Sequence, residues 1–283
     1  MCKKKTKVLK KIWALLCAVS LLAVCCGCEP AGGKVPSSAS SDPARQEAAE
    51  IDSAEEQLVA HAGGAVYGYR RTNSEEALDN AYRNGFRYIE LDFERTSDGE
   101  SVLIHDWAGM AARIFGTEGQ RTLKEFKEED TFMDLTLMDL GDLNRWLGRH
   151  PDCRIITDIR ADNLSVLREI RKTCKETAGR FIPQAYSYEE YSEISAEGYE
   201  DIILTLYSMT DDSGLLDFAA EERPWAITIP EEKLDEQTLH RLSDLNIRTF
   251  SHTINTLDVW EKWHEKGLSG IYTDYFMPAY WDA

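Results

Sequence analysis

Cysteine is nearly missing from the body of this chain. Five of its seven cysteines lie at or before Cys28, and only Cys153 and Cys174 follow. Those two do not make a metal site, and they are expected as buried thiols rather than as a disulfide. Basic charge is scarce as well. The formal net charge is −18, and six of the 32 basic residues are lysines within the first eleven positions. Beyond residue 27 there remain 26 basic residues against 50 acidic ones, a net charge of −24. So acidic a surface repels nucleic acid and anionic headgroups, and a nucleic-acid role is excluded on that ground. An anionic substrate would need a local attractor, which a bound divalent cation supplies. A long apolar run is also lacking: the stretch 12–24 is too short to span a bilayer comfortably.

What is there begins with a processing signal. Lys3, Lys4, Lys5, Lys7, Lys10 and Lys11 precede that apolar stretch, the pattern of a secretory signal peptide. It ends in Leu22-Ala23-Val24-Cys25-Cys26-Gly27-Cys28, which resembles a bacterial lipoprotein signal. The small Gly27 favours Cys28 as the lipidated residue over Cys25 or Cys26; an uncleaved N-terminal anchor is the other reading. Residues 1–27 are thus read as the signal. Residues 28–56, rich in Ala, Ser, Pro, Gly and Glu, are read as a flexible tether. Residues 57–283 are the folded domain. Its expected place is outside the cytoplasm, held to the cell membrane by an N-terminal lipid anchor.

From Leu58 onward, short apolar stretches alternate with amphipathic ones. Strands are expected at 58–63, 87–94, 153–159, 180–186, 201–207, 225–229, 247–252 and 270–275. Helices are expected to open at Asn73-Ser74-Glu75-Glu76 and close at Gly85, and to cover 163–177, 235–245 and 256–266. Eight strands with intervening helices predict an α/β fold, the TIM (β/α)8 barrel. One connection, between His105 and Leu143, is too long for the scheme. It is expected as an insertion over the mouth of the barrel, where substrate loops belong.

In such a barrel the chemistry sits at the C-terminal ends of the strands. The first expected strand ends in His61. The second reads Tyr88-Ile89-Glu90-Leu91-Asp92-Phe93-Glu94. Alternation places Glu90 and Asp92 on one face and Ile89, Leu91 and Phe93 on the other. The apolar set belongs against helices, so both carboxylates face the barrel axis. Inward carboxylates are stable only when protonated, hydrogen-bonded or holding a cation. Asp158 adds a third on the same rim, and three oxygen donors suit Ca²⁺ or Mg²⁺. The turn Thr96-Ser97-Asp98-Gly99 sends the chain back so that His105 lies over that rim. Two histidines beside a metal site are natural partners for acid and base work near neutral pH.

These residues carry a resemblance. His61-Ala62-Gly63, Glu90-Leu91-Asp92, Thr96-Ser97-Asp98-Gly99 and His105-Asp106 stand in the order of His-Arg-Gly, Glu-x-Asp, Thr-x-Asp-Gly and His-Asp in the glycerophosphodiester phosphodiesterase family. Asn73-Ser74 with Glu76-Ala77 is similar to the start of that family's first helix, and 252–255 and 270–274 to its last two strands. The resemblance implies metal ligands at Glu90 and Asp92, with Asp158 where a third is expected. It implies His61 and His105 as acid and base in metal-dependent hydrolysis of a glycerophosphodiester to glycerol phosphate and an alcohol.

Three departures stand out. Ala62 replaces a phosphate-clamping arginine, with Arg70, Arg71 and Arg160 as candidate substitutes. Asp158 is one carbon shorter than the usual glutamate, and Arg160 replaces a customary lysine. They mark either a branch with altered substrate preference or a fold kept without turnover. Arg160, Gln184, His252 and Trp107 are candidate substrate-binding residues, with Tyr207 beside them. Two other functions are compatible with the sequence. One is a related barrel acting on phospholipid headgroups under a lid of Trp107, Met110 and Phe115; the other is a ligand-binding lipoprotein. A glycosidase is disfavoured, because Glu90 and Asp92 on one strand are too close to hold a sugar between them.

Overall fold

A computed structural model describes residues 54–281. The expected signal, the lipidation at Cys28 and residues 28–53 of the expected tether lie outside the described residues. A single turn of helix, α1 (Ala54–Gln57), leads straight into the first strand.

Eight parallel strands close on themselves. They are β1 (Leu58–Ala60), β2 (Tyr88–Arg95), β4 (Arg154–Asp158), β5 (Phe181–Ala185), β6 (Ile203–Thr205), β7 (Ala226–Thr228), β8 (Arg248–Ser251) and β9 (Gly270–Thr273). Strand β9 pairs with β1, and β1 pairs with β2, so the sheet has no free edge in the ring. A ninth strand, β3 (Ser101–Leu103), folds back antiparallel on the end of β2 through the turn at Ser97–Gly99. The (β/α)8 barrel is therefore as expected; seven barrel strands lie inside their predicted windows, and β2 runs one residue past its window, to Arg95.

Helices α2 (Glu75–Arg83), α5 (Leu140–Arg149), α6 (Asn163–Thr173), α7 (Tyr188–Ala196), α8 (Leu215–Glu222), α9 (Glu236–Asp244) and α10 (Leu257–His264) follow the barrel strands. Several start where a short polar side chain accepts an otherwise orphaned backbone N–H, worth about 1 kcal/mol per cap. Ser74, Asp139, Ser187 and Asp235 do this. Helix α6 stops four residues earlier than expected. Beyond its cap at Cys174, Thr177 donates its hydroxyl to Asn144 at 2.7 Å.

Two layers of apolar side chains hold the barrel. Ile89, Leu91, Phe93, Ile155 and Ile159 belong to the layer between strands and helices. Val59, Ile156, Ile182, Ile203, Phe250 and Tyr272 cluster on the opposite, inward face. Cys153 and Cys174 are both buried and unpaired, as expected.

The long connection forms α3 (Gly109–Phe115) and α4 (Leu123–Glu128). Most of its apolar residues do not join the barrel layers; Met138, near its end, does. Met110, Ile114 and Phe126 pack with Val66, Val102 and Ile104 into a small core of their own. Among the described residues, no helix is long and apolar enough to cross a membrane.

Candidate active site

The inward face follows a simple rule. Two residues after an apolar floor residue comes a polar rim residue: His61 after Val59, Asp158 after Ile156, Gln184 after Ile182, His252 after Phe250. Period-two alternation carries each strand from floor to rim in one step. The rim residues surround a cavity of about 460 Å³ at the C-terminal ends of the strands.

Strand β1 ends in a tight turn with positive φ at Ala62 (47°), Gly63 (83°) and Gly64 (80°). Gly63 is required twice over: its φ suits glycine, and an added Cβ would sit 3.1 Å from the Ala77 Cβ. The turn aims the Ala62 N–H at Glu90 Oε2, 2.7 Å away. Asn73, also left-handed (φ 51°), donates to Asp92 Oδ2 at 2.9 Å and accepts from the Asp92 N–H at 3.0 Å.

Glu90, Asp92 and Asp158 bring one carboxylate oxygen each to within 4.8 Å of one another. Register explains this, since Asp92 and Asp158 are direct partners across β2 and β4. Glu90 and Asp92 are buried. Burial, followed by repulsion from Asp92 and Asp158, holds the Glu90 carboxyl well above the usual range. Burial and Asp158 likewise raise Asp92, against the pull of His105 and Asn73. Three crowded carboxylates, two of them buried, form a donor set that fits a hard divalent cation.

Each rim histidine has a carboxylate behind it. His61 Nδ1 lies 2.9 Å from Asp274 Oδ1, and His105 Nδ1 lies 2.7 Å from Asp106 Oδ2. With Nδ1 donating, Nε2 is the atom left for proton transfer in both rings. Asp274 is further held by Asn255 Nδ2 at 2.8 Å and Arg70 at 3.5 Å. Burial alone would raise its carboxyl; the bond and charge of His61, with Asn255 and Arg70, outweigh it and bring it below the usual range. Asp106 is lowered in the same way, where His105 and the N–H groups of Met110 and Ala108 outweigh burial.

The remaining expected residues divide. Gln184 and His252 are on the cavity wall, as is Tyr207. Burial, then the charge of His61, lowers His252 to about 4, so it is neutral at physiological pH. Arg160 also lines the cavity, with its guanidinium 3.6 Å from Asp158. Trp107 does not. Its indole N–H donates to the Arg95 carbonyl at 2.8 Å, and its ring packs against Phe126 in the insertion core. No residue between 106 and 139 lines the cavity, so the insertion supplies no substrate loop there. Met110 and Phe115 are likewise committed to that core rather than to a lid.

Tyr186 was not anticipated. Its hydroxyl donates to Asp158 and accepts the Ile159 N–H at 3.1 Å. Burial, then Asp158, pushes the phenol well up. Asp274 and Asn73 were noticed only as motif letters, not as the partners of His61 and Asp92. The pairing of Ala60 with Thr273 is what sets Asp274 beside His61.

Residues 64–191 match the sequence model of the Glycerophosphoryl diester phosphodiesterase family. That span takes in Asn73, Glu90, Asp92, His105 and Asp158. No curated protein matches the chain. Among solved structures, the glycerophosphodiester phosphodiesterase of Thermotoga maritima is 21% identical, with a TM-score of 0.61 over 77% of this chain and 93% of that one. A phosphodiesterase of Oleispira antarctica, solved with its product sn-glycerol-3-phosphate, is 16% identical, with a TM-score of 0.62 over 77% and 93%. A glycerophosphoryl diester phosphodiesterase of Parabacteroides distasonis gives 15%, 0.62, 79% and 84%. At these identities the likeness is one of fold.

Proposed function

With residues 64–191 matching the glycerophosphoryl diester phosphodiesterase family as premise, we propose that this chain is a phosphoric diester hydrolase that cleaves glycerophosphodiesters with the help of a divalent metal. The observation that carries this reading is one cavity lined by Glu90, Asp158, His61 and His105, with an Asp92 oxygen within 4.8 Å of those of the two carboxylates and each histidine backed by a carboxylate of its own.

Glu90, Asp92 and Asp158 would hold the ion, Ca²⁺ or Mg²⁺, which when bound supplies Lewis-acid polarisation of the phosphoryl group and makes a nearby hydroxyl more acidic. The histidines move the protons. Nε2 of one takes the proton of the glycerol hydroxyl next to the ester as its oxygen attacks phosphorus. Nε2 of the other gives a proton to the departing alkoxide, which leaves as the alcohol. The cyclic glycerophosphate so formed is opened by water with the two roles exchanged, which returns both rings to their starting states. Asp274 and Asp106 fix the tautomers and favour the charged ring that each transfer creates. His252, neutral, offers the substrate a hydrogen bond without adding charge. The headgroup-cleaving alternative loses support, because its expected lid residues pack into the insertion core.

The N-terminal signal supports a further part of the proposal: a lipid on Cys28 tethers the domain to the outer side of the cell membrane. Cys28→Ala should then move the protein from the membrane fraction to the soluble one, and retention in the membrane would count against the lipid anchor.

The activity is tested by incubating the purified chain with glycerophosphocholine and related diesters, with Ca²⁺, with Mg²⁺ and with chelator. Metal-dependent release of sn-glycerol 3-phosphate is expected. Absence of release with every diester and metal would overturn the reading.

A further inference from the structure

The rim of the cavity carries two guanidinium groups, Arg71 and Arg160, and they are not equivalent. Arg160 is engaged with Asp158, whose other oxygen takes the Tyr186 hydroxyl. Arg71 has no ion pair and no side-chain hydrogen bond among the described residues, and its Nε is shut off from solvent without a partner. A buried N–H left unmade is costly, and a charged one more so. The acids on the cavity wall do not meet the need. Glu90 accepts from Ala62, and Glu190 accepts from the Tyr186 N–H at 2.7 Å and from Asn163 at 2.8 Å.

The backbone holds this arginine in place. Arg71 itself has φ 63°, a region that bulky side chains rarely enter, and Asn73 two residues on has φ 51°. The Asn73 N–H donates to the Ala62 carbonyl at 3.2 Å, and the Asn73 amide bonds Asp92 through both its donor and its acceptor. The strained segment is thus fastened to the carboxylate cluster on one side and to the His61 turn on the other. Ala62, by contrast, is fully enclosed and has only a methyl group to offer.

We propose that Arg71 is the phosphate-binding residue of this site. Its guanidinium would take the non-bridging oxygens of the diester and of the glycerol phosphate product, giving the unpartnered Nε–H its acceptor. The assignment rests on the diesterase reading and adds to it the residue that recognises the anion. It also explains how position 62 tolerates alanine: the positive charge enters the site from the loop before α2.

The test uses the full chain and sn-glycerol 3-phosphate as probe, titrated calorimetrically in saturating Mg²⁺ beside Mg²⁺ alone and glycerol. Arg71→Met should weaken sn-glycerol 3-phosphate binding by roughly 10- to 100-fold and raise KM for glycerophosphocholine comparably, the loss expected for a charge-assisted pair. Mg²⁺ affinity should stay as in the parent, which a merely structural role would not predict. Arg71→Gln, polar but shorter and uncharged, carries the same expectation should R71M fold poorly, and Arg71→Lys should recover part of the binding. Parental affinity for sn-glycerol 3-phosphate in R71M or R71Q would overturn the assignment while leaving the diesterase reading intact. A parent chain that neither cleaves a diester nor binds sn-glycerol 3-phosphate would overturn both.

Discussion

Metal binding to this site should expel a proton. The oxygens of Glu90, Asp92 and Asp158 lie within 4.8 Å of one another. At that distance, with an effective dielectric constant of about 20, a pair of unit charges repels by 332/(20 × 4.8), or about 3.5 kcal/mol. Three such pairs sum to about 10 kcal/mol, comparable with the whole stability of a domain, about 5–15 kcal/mol. Crowding and burial therefore favour a protonated carboxyl in the metal-free cluster, most strongly at Glu90, raised by burial and by its two neighbours. A divalent ion competes with that proton, so ion binding should release protons, up to about one per ion. Calorimetric titration in two buffers of different ionisation enthalpy measures this number directly. The stability sign follows from the same shifts. Groups raised in the fold stabilise it when protonated, so their contribution is present in acid and is lost as pH climbs through the raised values. The metal-free protein should lose melting temperature, relative to the metal-bound form, as pH rises through these raised values. Glu90→Gln should reduce both the proton release and this slope, leaving only the share of Asp92. Metal binding with no proton exchange would refute the reasoning.

Further outcomes are expected at single residues. Asp274→Asn keeps the shape but removes the charge 2.9 Å from His61 Nδ1; kcat should fall about 10- to 100-fold with KM little changed, and a parental kcat would take Asp274 out of the mechanism. Tyr186→Phe leaves Asp158 and the Ile159 N–H without their shared partner; it should cost about 1–3 kcal/mol in denaturant melts and weaken metal binding, whereas an unchanged metal Kd would mean that Asp158 is positioned by other contacts. Gly63→Ala forces a side chain onto a φ of 83° and against Ala77; a loss of about 1–3 kcal/mol is expected by circular dichroism, and parental stability would show that the turn relaxes at no cost. His61→Ala and His105→Ala should each lower turnover by about 100- to 10,000-fold with folding retained, and near-parental rates in either variant would remove that ring from the reaction.

The fold was legible because the barrel writes itself locally. Alternation within β2 sorts Ile89, Leu91 and Phe93 outward and Glu90 and Asp92 inward, and no distant contact is needed to see it. The same alternation brought Gln184 and His252 to the rim. What stayed hidden depends on register or on unusual backbone. Nothing near Tyr186 in the sequence says that its hydroxyl reaches Asp158, because that contact crosses from β5 to β4. Arg71 could be named only as one of three arginines, since its placement comes from a left-handed stretch that no propensity predicts. Trp107 misled for the opposite reason: an aromatic next to His105-Asp106 looked like a pocket wall, yet the chain turns there and the ring serves another core. The insertion misled in the same way, because its length signals an excursion but not which core its apolar residues will choose.

The closing pair of strands has a consequence for how the candidate site is assembled. His61 follows the first barrel strand and Asp274 follows the last, and they meet only because β9 docks on β1. A growing chain lacks the backing for its first histidine until the final strand arrives. The His61–Asp274 pair is thus gained in one late event, and a chain broken off before β9 would lack it. Since the ring has no privileged starting point, moving the termini to a surface loop elsewhere while joining the old ends should bring His61 and Asp274 together early in synthesis, and so reverse the order in which the site matures.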